Sequence, residues 1–248
     1  MNKWLWTLSG IVVFLGVWTA LSLSIDNAIL LPPPIAVVRG FVLLLRDGTL
    51  AGDILASLKR VLGGFAVASA VAVPLALAMA YWQPIEFLLS PVITFLRPIP
   101  PIAWIPIAIL WFGIGDPPSY FITAIAAFFP IFLNSIAGGR AVHAEHIHAA
   151  RSLGAGPRAL FLRVYLPSAM PHIATGLRIG LGQSWMAVVT AELIAAHSGL
   201  GYMIQANRLA LETSLVMVGM CVIGILGAGM SGVLDVLERV VLVPWKTP

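Results

Sequence analysis

A chain of 248 residues that is 60% hydrophobic and 10% charged, with a mean hydropathy of +0.99, excludes a soluble domain. A water-facing surface needs about a quarter of its residues charged. The formal net charge of +4 rests on 14 scattered basic residues with no run interleaved with aromatics, which excludes a nucleic-acid binder and points instead to loops beside anionic lipid.

Trp4–Leu23 carries no charge and can cross about 30 Å of hydrocarbon. It exceeds the roughly 7–15-residue apolar core of a secretory leader, so a retained helix is expected, with Trp6 and Trp18 toward its ends. Leu30–Arg60 opens on Leu31-Pro32-Pro33-Pro34, which cannot begin as regular helix. It then alternates charges with Val38, Phe41, Leu45 and Ile54, and is predicted to be an amphipathic segment on the membrane surface or against a neighbouring subunit.

Further crossings are predicted over Val61–Trp82, Phe87–Gly115, Pro117–Gly139, Ile173–Ala196 and Thr213–Leu234. The fold class is therefore an all-α integral membrane protein of about six transmembrane helices. Pro74 lies in the second crossing, Pro130 in the fourth, and Pro91, Pro98, Pro100, Pro101 and Pro106 in the third. Interior prolines free carbonyls that neighbouring helices or a wet cavity must satisfy. A transport pathway and kinked structural helices both meet that need. Gly176 with Gly180, and Gly224 with Ala228 and Gly232, are expected to allow close helix packing. The single cysteine, Cys221, lies in an apolar run and permits neither an internal disulfide nor a cysteine-paired metal site.

The longest polar loop, 140–171, carries Arg140, Arg151, Arg158 and Arg163 against Glu145 alone, which predicts a cytoplasmic location. Alternation then puts both termini inside, in agreement with Lys3, Arg239 and Lys246; Lys59 and Arg60, on the outer side, disagree. The expected division is 1–56 as first helix plus amphipathic segment, 57–240 as the main transmembrane domain and 241–248 as a cytoplasmic tail. Within the loop, Glu145–Leu153 is predicted as a short helix, Gly154–Pro157 as a turn, and Arg158–Tyr165 as a second piece ending before Pro167. Such a surface helix is a handle by which a partner could push on the crossings at both of its ends.

This loop resembles the signature of bacterial ABC importer permeases: Glu-Ala-Ala, three residues, Gly, nine residues, a β-branched residue, one residue, Leu-Pro. Ala149, Ala150, Gly154, Val164, Leu166 and Pro167 fall on that spacing. His148 stands where the family has Glu, and Glu145 on the same helical face is the carboxylate that could substitute. The likeness continues through Leu31–Pro34, Ser57–Phe65, Arg97–Trp104, Trp111–Gly115, Thr175–Gly180, Ala191-Glu192 and Ser198–Tyr202, toward the nitrate, sulfonate and taurine branch. The resemblance implies a type I importer permease of the bacterial cytoplasmic (inner) membrane, with a coupling helix between its fourth and fifth crossings. It further implies a second permease copy, two cytoplasmic ATPase subunits gripping the loop, and a periplasmic or lipid-anchored substrate-binding protein.

No Gly-x-x-x-x-Gly-Lys-Ser/Thr phosphate cradle occurs. No nucleophilic or paired-carboxylate arrangement occurs either, so the chain is expected to be a pore subunit rather than an enzyme. It is expected to bind no cofactor itself, ATP and magnesium belonging to the partner subunits. His143, His146 and His148 lack the spacing and companions of a metal site. Six residues are candidates for the translocation path: Arg97, Trp104, Asn134, Gln183, Trp185 and Glu192. Each also has a structural reading: Arg97 as a cap on proline-freed carbonyls, the neutral groups as interhelical hydrogen bonds, Glu192 as an arginine's partner. The alternative, a gradient-driven secondary transporter or channel, calls for repeated halves and several mid-span acids, whereas Glu192 is the one acid within a span.

Overall fold

The computed structural model describes residues 3–238. Arg239, Lys246 and the expected tail 241–248 lie outside the described residues. All regular structure among the described residues is helical. The elements are α1 (Lys3–Ile25), α2 (Pro34–Arg46), α3 (Thr49–Tyr81), α4 (Gln83–Leu96), a 3₁₀ turn at Pro101–Trp104, α5 (Ile105–Phe112) and α6 (Asp116–Arg140). The chain continues with α7 (Ala144–Ser152), α8 (Pro157–Leu160), a π-helical turn at Phe161–Tyr165, α9 (Leu166–Ala195), α10 (Leu200–Leu209) and α11 (Thr213–Leu237).

Helix α1 is exposed along most of its length, as a helix facing lipid must be. Its two inward polar groups hold the proline run: Trp18 Nε1 donates to the Pro32 carbonyl (3.1 Å) and Ser22 Oγ to the Leu31 carbonyl (2.8 Å). The amphipathic segment expected over Leu30–Arg60 is two structures. Pro34 opens α2, which buries Val37, Gly40 and Leu44, and Gly40 lets α11 approach with Leu215 and Val218. Gly48, at φ +73°, then turns the chain, and α3 begins at Thr49, twelve positions before the predicted start of the crossing at Val61. The boundary drawn at residue 56 consequently falls inside a helix. Nothing in Asp53, Lys59 or Arg60 stops a helix, because two of those charges find partners within the protein.

The third predicted crossing is broken. α4 ends at Leu96, prolines 98, 100 and 101 forbid its continuation, and the chain bends by 90° before resuming as the 3₁₀ turn and α5. The fifth crossing also bends, by 46°, between α9 and α10. Among the described residues four helices are long and apolar enough to cross alone, and up to six if each bent pair is one crossing.

The centre of the bundle is α3, α6 and α9. Ala68, Ala72, Ala76, Ala127, Ile131 and Phe132 are buried between them. Lipid is as apolar as these side chains, so close dispersion contact rather than loss of water holds the helices together. Gly180 shows the requirement: a Cβ there would stand 2.6 Å from the Ile131 side chain. Gly176 meets the same residue, so this small-residue pair packs as expected. Gly224, Ala228 and Gly232 do not; they face away from the bundle, and Gly227, one helical face over, receives the Trp185 ring.

Candidate functional site

The connection between α6 and α9 is an exposed helix, a glycine turn and a second helical piece. Helix α7 projects His146, His148, Ala149, Arg151 and Ser152 outward, and Leu153 is 89% exposed at its end. Gly154 at φ +80° closes the helix: its N–H donates to the Arg151 carbonyl (2.9 Å) and the Ala155 N–H to the Ala150 carbonyl (3.0 Å). This pair of bonds is the Schellman C-cap, which needs a left-handed residue and so favours glycine. Ala150 and Gly154, two of the signature positions, thus set the turn. Glu145, in the first turn of α7, is exposed.

The second piece does not end before Pro167. α8, the π-helical turn and α9 form one continuous rod, and Pro167 sits within the first turn of α9. The wider π turn directly before it accommodates a residue that lacks an N–H. Leu166 packs on Leu77 and Ile173, beside Phe161, while Val164 is half-buried within the π turn. Tyr81, at the end of α3, meets the rings of Phe161 (5.7 Å) and Tyr165 (5.0 Å). After the glycine turn, the rod from α8 to α9 is unbroken and is clamped to α3 by Tyr81.

At the opposite end of the bundle sits a buried polar knot. The Arg60 side chain is 1% exposed. Its Nη1 donates to Glu192 Oε1 (2.6 Å) and the Ser198 carbonyl (2.7 Å); its Nη2 donates to Asp116 Oδ1 (2.5 Å) and Ser198 Oγ (2.7 Å). Glu192 also accepts from Ser57 Oγ (2.8 Å) and the Gly201 N–H (2.9 Å). The first amides of α10 are capped from other helices: Gly199 N–H donates to Asp53 Oδ1 (2.8 Å) and Leu200 N–H to Ser57 Oγ (2.9 Å). Orphan amides carry the positive end of a helix dipole, which suits acceptors and carboxylates. A Cβ on Gly199, at φ +105°, would lie 2.4 Å from Glu192 Oε1.

Of the path candidates, Glu192 is thus held by Arg60. Arg60 is no free loop charge either, whereas Lys59 beside it stays exposed. Trp185 is buried, donating from Nε1 to the Ile223 carbonyl of α11 (2.8 Å), and the Asn134 amide donates to the Pro130 carbonyl one turn back (2.8 Å). Glu192 and Trp185 thus tie helices together, whereas Asn134 bonds within its own helix. Arg97 is exposed at the end of α4, its guanidinium capping none of the described carbonyls. Gln183 is exposed on α9, in a cleft of about 260 Å³ with Pro101 and Ile102 on one wall and Ile122, Ala126 and Thr190 on the others. Trp104 packs beside that cleft, and its buried Nε1 has no partner among the described residues. Arg178 on α9 pairs with Asp235 of α11 (2.7 Å) and with Glu238 directly after that helix. Among the described residues no group of histidines, cysteines and acids could hold a metal ion.

Sequence reasoning had not joined Asp53, Ser57, Arg60, Asp116 and Ser198. The spacing of 53, 57 and 60 on one face of a helix was the available signal.

A multi-pass helical bundle with an exposed helical loop between two central crossings and a broken helix beside a cleft defines a membrane transport subunit. Residues 70–242 match the family of binding-protein-dependent transport system inner membrane components, and the chain belongs to that family. It is 40% identical over 216 residues to a putative ABC transporter permease protein of Methanocaldococcus jannaschii, covering 85% of this chain and 81% of the relative. It is 37% identical over 261 residues to the taurine transport system permease protein of Escherichia coli, covering 98% and 93%. Identity to the nitrate import permease protein of a Synechocystis strain is 32% over 241 residues, covering 94% and 87%. The protein is a type I ABC importer permease.

Proposed function

We propose that the chain forms the translocation path for a small oxyanionic solute, of the sulfonate, taurine or nitrate kind, in an assembly of two permease copies, two ATPase chains and a substrate-binding protein. The observation that carries this reading is the exposed α7, joined by a glycine turn to the continuous rod of α8, the π turn and α9. The ATPases grip Glu145, His148 and Ala149 on the cytoplasmic side, where Arg151, Arg158 and Arg163 meet anionic lipid. The binding protein delivers solute at the opposite end, and ATP with magnesium stays on the partner chains. Both chain termini lie with α7 in the cytoplasm.

An anionic cargo fits the lining. Gln183 and Thr190 offer neutral polar groups in the cleft, Arg97 adds a positive charge on the bent crossing, and the buried Glu192 is neutralised by Arg60. Neutral donors bind an oxyanion without trapping it as a fixed cation would. The test is reconstitution in proteoliposomes. Uptake of a labelled sulfonate or nitrate should require the ATPase, the binding protein and ATP together. Uptake by this chain alone would overturn the proposal.

A further inference from the structure

The knot at Arg60 is asymmetric in a way that bracing alone does not explain. One guanidinium serves two carboxylates with opposite surroundings. Glu192 is fully buried and additionally held by Ser57 and the Gly201 amide; the Asp116 side chain is 60% exposed, and Arg60 is its one side-chain partner among the described residues. Asp116 also stands in the first turn of α6, where the helix dipole stabilises a carboxylate without Arg60. Releasing Asp116 exposes it to water, whereas releasing Glu192 would strand a charge in the interior.

Asp116 follows directly on the turn that ends the bent crossing. Gly113 at φ +78° and Gly115 at φ +137° make that turn, and the Gly115 N–H reaches the Ala195 carbonyl at the end of α9 (3.0 Å). The α4–α5 elbow is therefore tied to the bundle at the far end of α5 by two polar bonds, the Gly115 amide and the Arg60–Asp116 pair, in addition to the apolar packing of Ile105 and Ala108 in one cluster with Ile122 and Ala126. The same elbow supplies Pro101 and Ile102 to the cleft at Gln183.

We propose that the Arg60–Asp116 contact is a releasable latch at the end of the bundle opposite α7. Closed, it moors the elbow and shuts the cleft to the binding-protein side. Opening breaks the Asp116 arm while Arg60, Glu192 and the α10 cap stay together as the fixed post. This rests on the importer reading, and the wild-type assembly tests that reading separately.

Asp116 and Ser198 approach the same Nη2 of Arg60, at 2.5 and 2.7 Å, so the two side chains are neighbours in the closed state. The experiment joins Asp116→Cys to Ser198→Cys, in a chain with the exposed Cys221 changed to Ser, by a short thiol linker that reductant cleaves. Linking should lower uptake about tenfold or more relative to the same protein after reduction, as expected when the open state is denied. Equal rates linked and reduced, or failure of the linker to join the two positions, would overturn the latch. In parallel, Asp116→Asn should raise receptor-independent ATP hydrolysis several-fold and lower uptake per ATP. A wild-type ratio in that variant would equally overturn it. Failure of the wild-type assembly to take up solute strikes the importer reading instead.

Discussion

The two ends of the bundle are built on opposite principles. At the far end, Arg60, Glu192, Ser57 and the first amides of α10 bond to one another in a buried knot that leaves only Arg60 Nε, among these groups, without a partner among the described residues. At the loop end, α7 has no buried residue and closes on a glycine turn, and the Tyr81 clamp falls on the π turn beyond it. A membrane subunit that must be gripped from outside cannot bury its handle. A subunit that must stay assembled while the handle moves needs a fixed post elsewhere. Substitutions at the knot should accordingly cost stability first, and substitutions at the loop should cost coupling first.

The largest effect expected is at Glu192. Glu192→Ala leaves Arg60 buried without its main partner and removes an acceptor from both Ser57 and the Gly201 amide. Removing one member of a buried pair costs about 3–5 kcal/mol, so thermal unfolding in detergent should show a large drop or no folded protein. A loss under about 1 kcal/mol would mean that water reaches the knot, so that neither charge depends on the other. Next is Gly199→Ala, where a β-carbon would collide with the Glu192 carboxylate at a left-handed φ. About 1–3 kcal/mol is expected from the strain, read by the same measurement. Smaller is Trp185→Phe, which keeps most of the ring against Gly227 but loses the bond to the Ile223 carbonyl. About 1 kcal/mol should go, with uptake retained.

The contrast between the ends also explains what the sequence made legible. The crossings and the loop helix could be read because uncharged runs and a glycine turn are local signals. The predicted turn at Gly154 is where the chain has its left-handed residue. The signals for the knot are scattered: Asp53, Ser57 and Arg60 lie on α3, Asp116 opens α6, Glu192 closes α9, and Ser198 lies in the turn before α10. Their resemblance motifs, around Ser57, Gly115, Glu192 and Ser198, were each visible alone, but only the fold brings them to one guanidinium. Charge in Thr49–Arg60 argued against a crossing, because a lone sequence prices every ion as unpaired. The proline run after Leu96 was read as kinks in one helix. Consecutive prolines remove several amides at once, so the chain breaks rather than bends. Trp185 and Asn134, taken as path candidates for their polar groups, spend those groups on carbonyls of the bundle itself.

At the loop end the ordering reverses, and the smallest stability changes should carry the largest functional ones. Gly154→Asp sits in open space, with nothing within 4 Å of an added β-carbon, so its cost is the left-handed φ alone, about 1 kcal/mol. Leu153→Ala should cost even less, about 0.5 kcal/mol or under, because a side chain that is 89% exposed contributes little to the fold of the isolated chain. If α7 is the docking handle, Leu153 is the apolar group most available to a partner's groove, and both variants should insert and melt close to wild type while losing stimulated ATP hydrolysis in the assembly. Measuring melting and hydrolysis on one preparation separates the two ends. Leu153→Ala with normal coupling would place the grip elsewhere on the loop. Leu153→Ala with a large fall in melting temperature would mean that the loop end is braced after all, and the contrast between post and handle would fail.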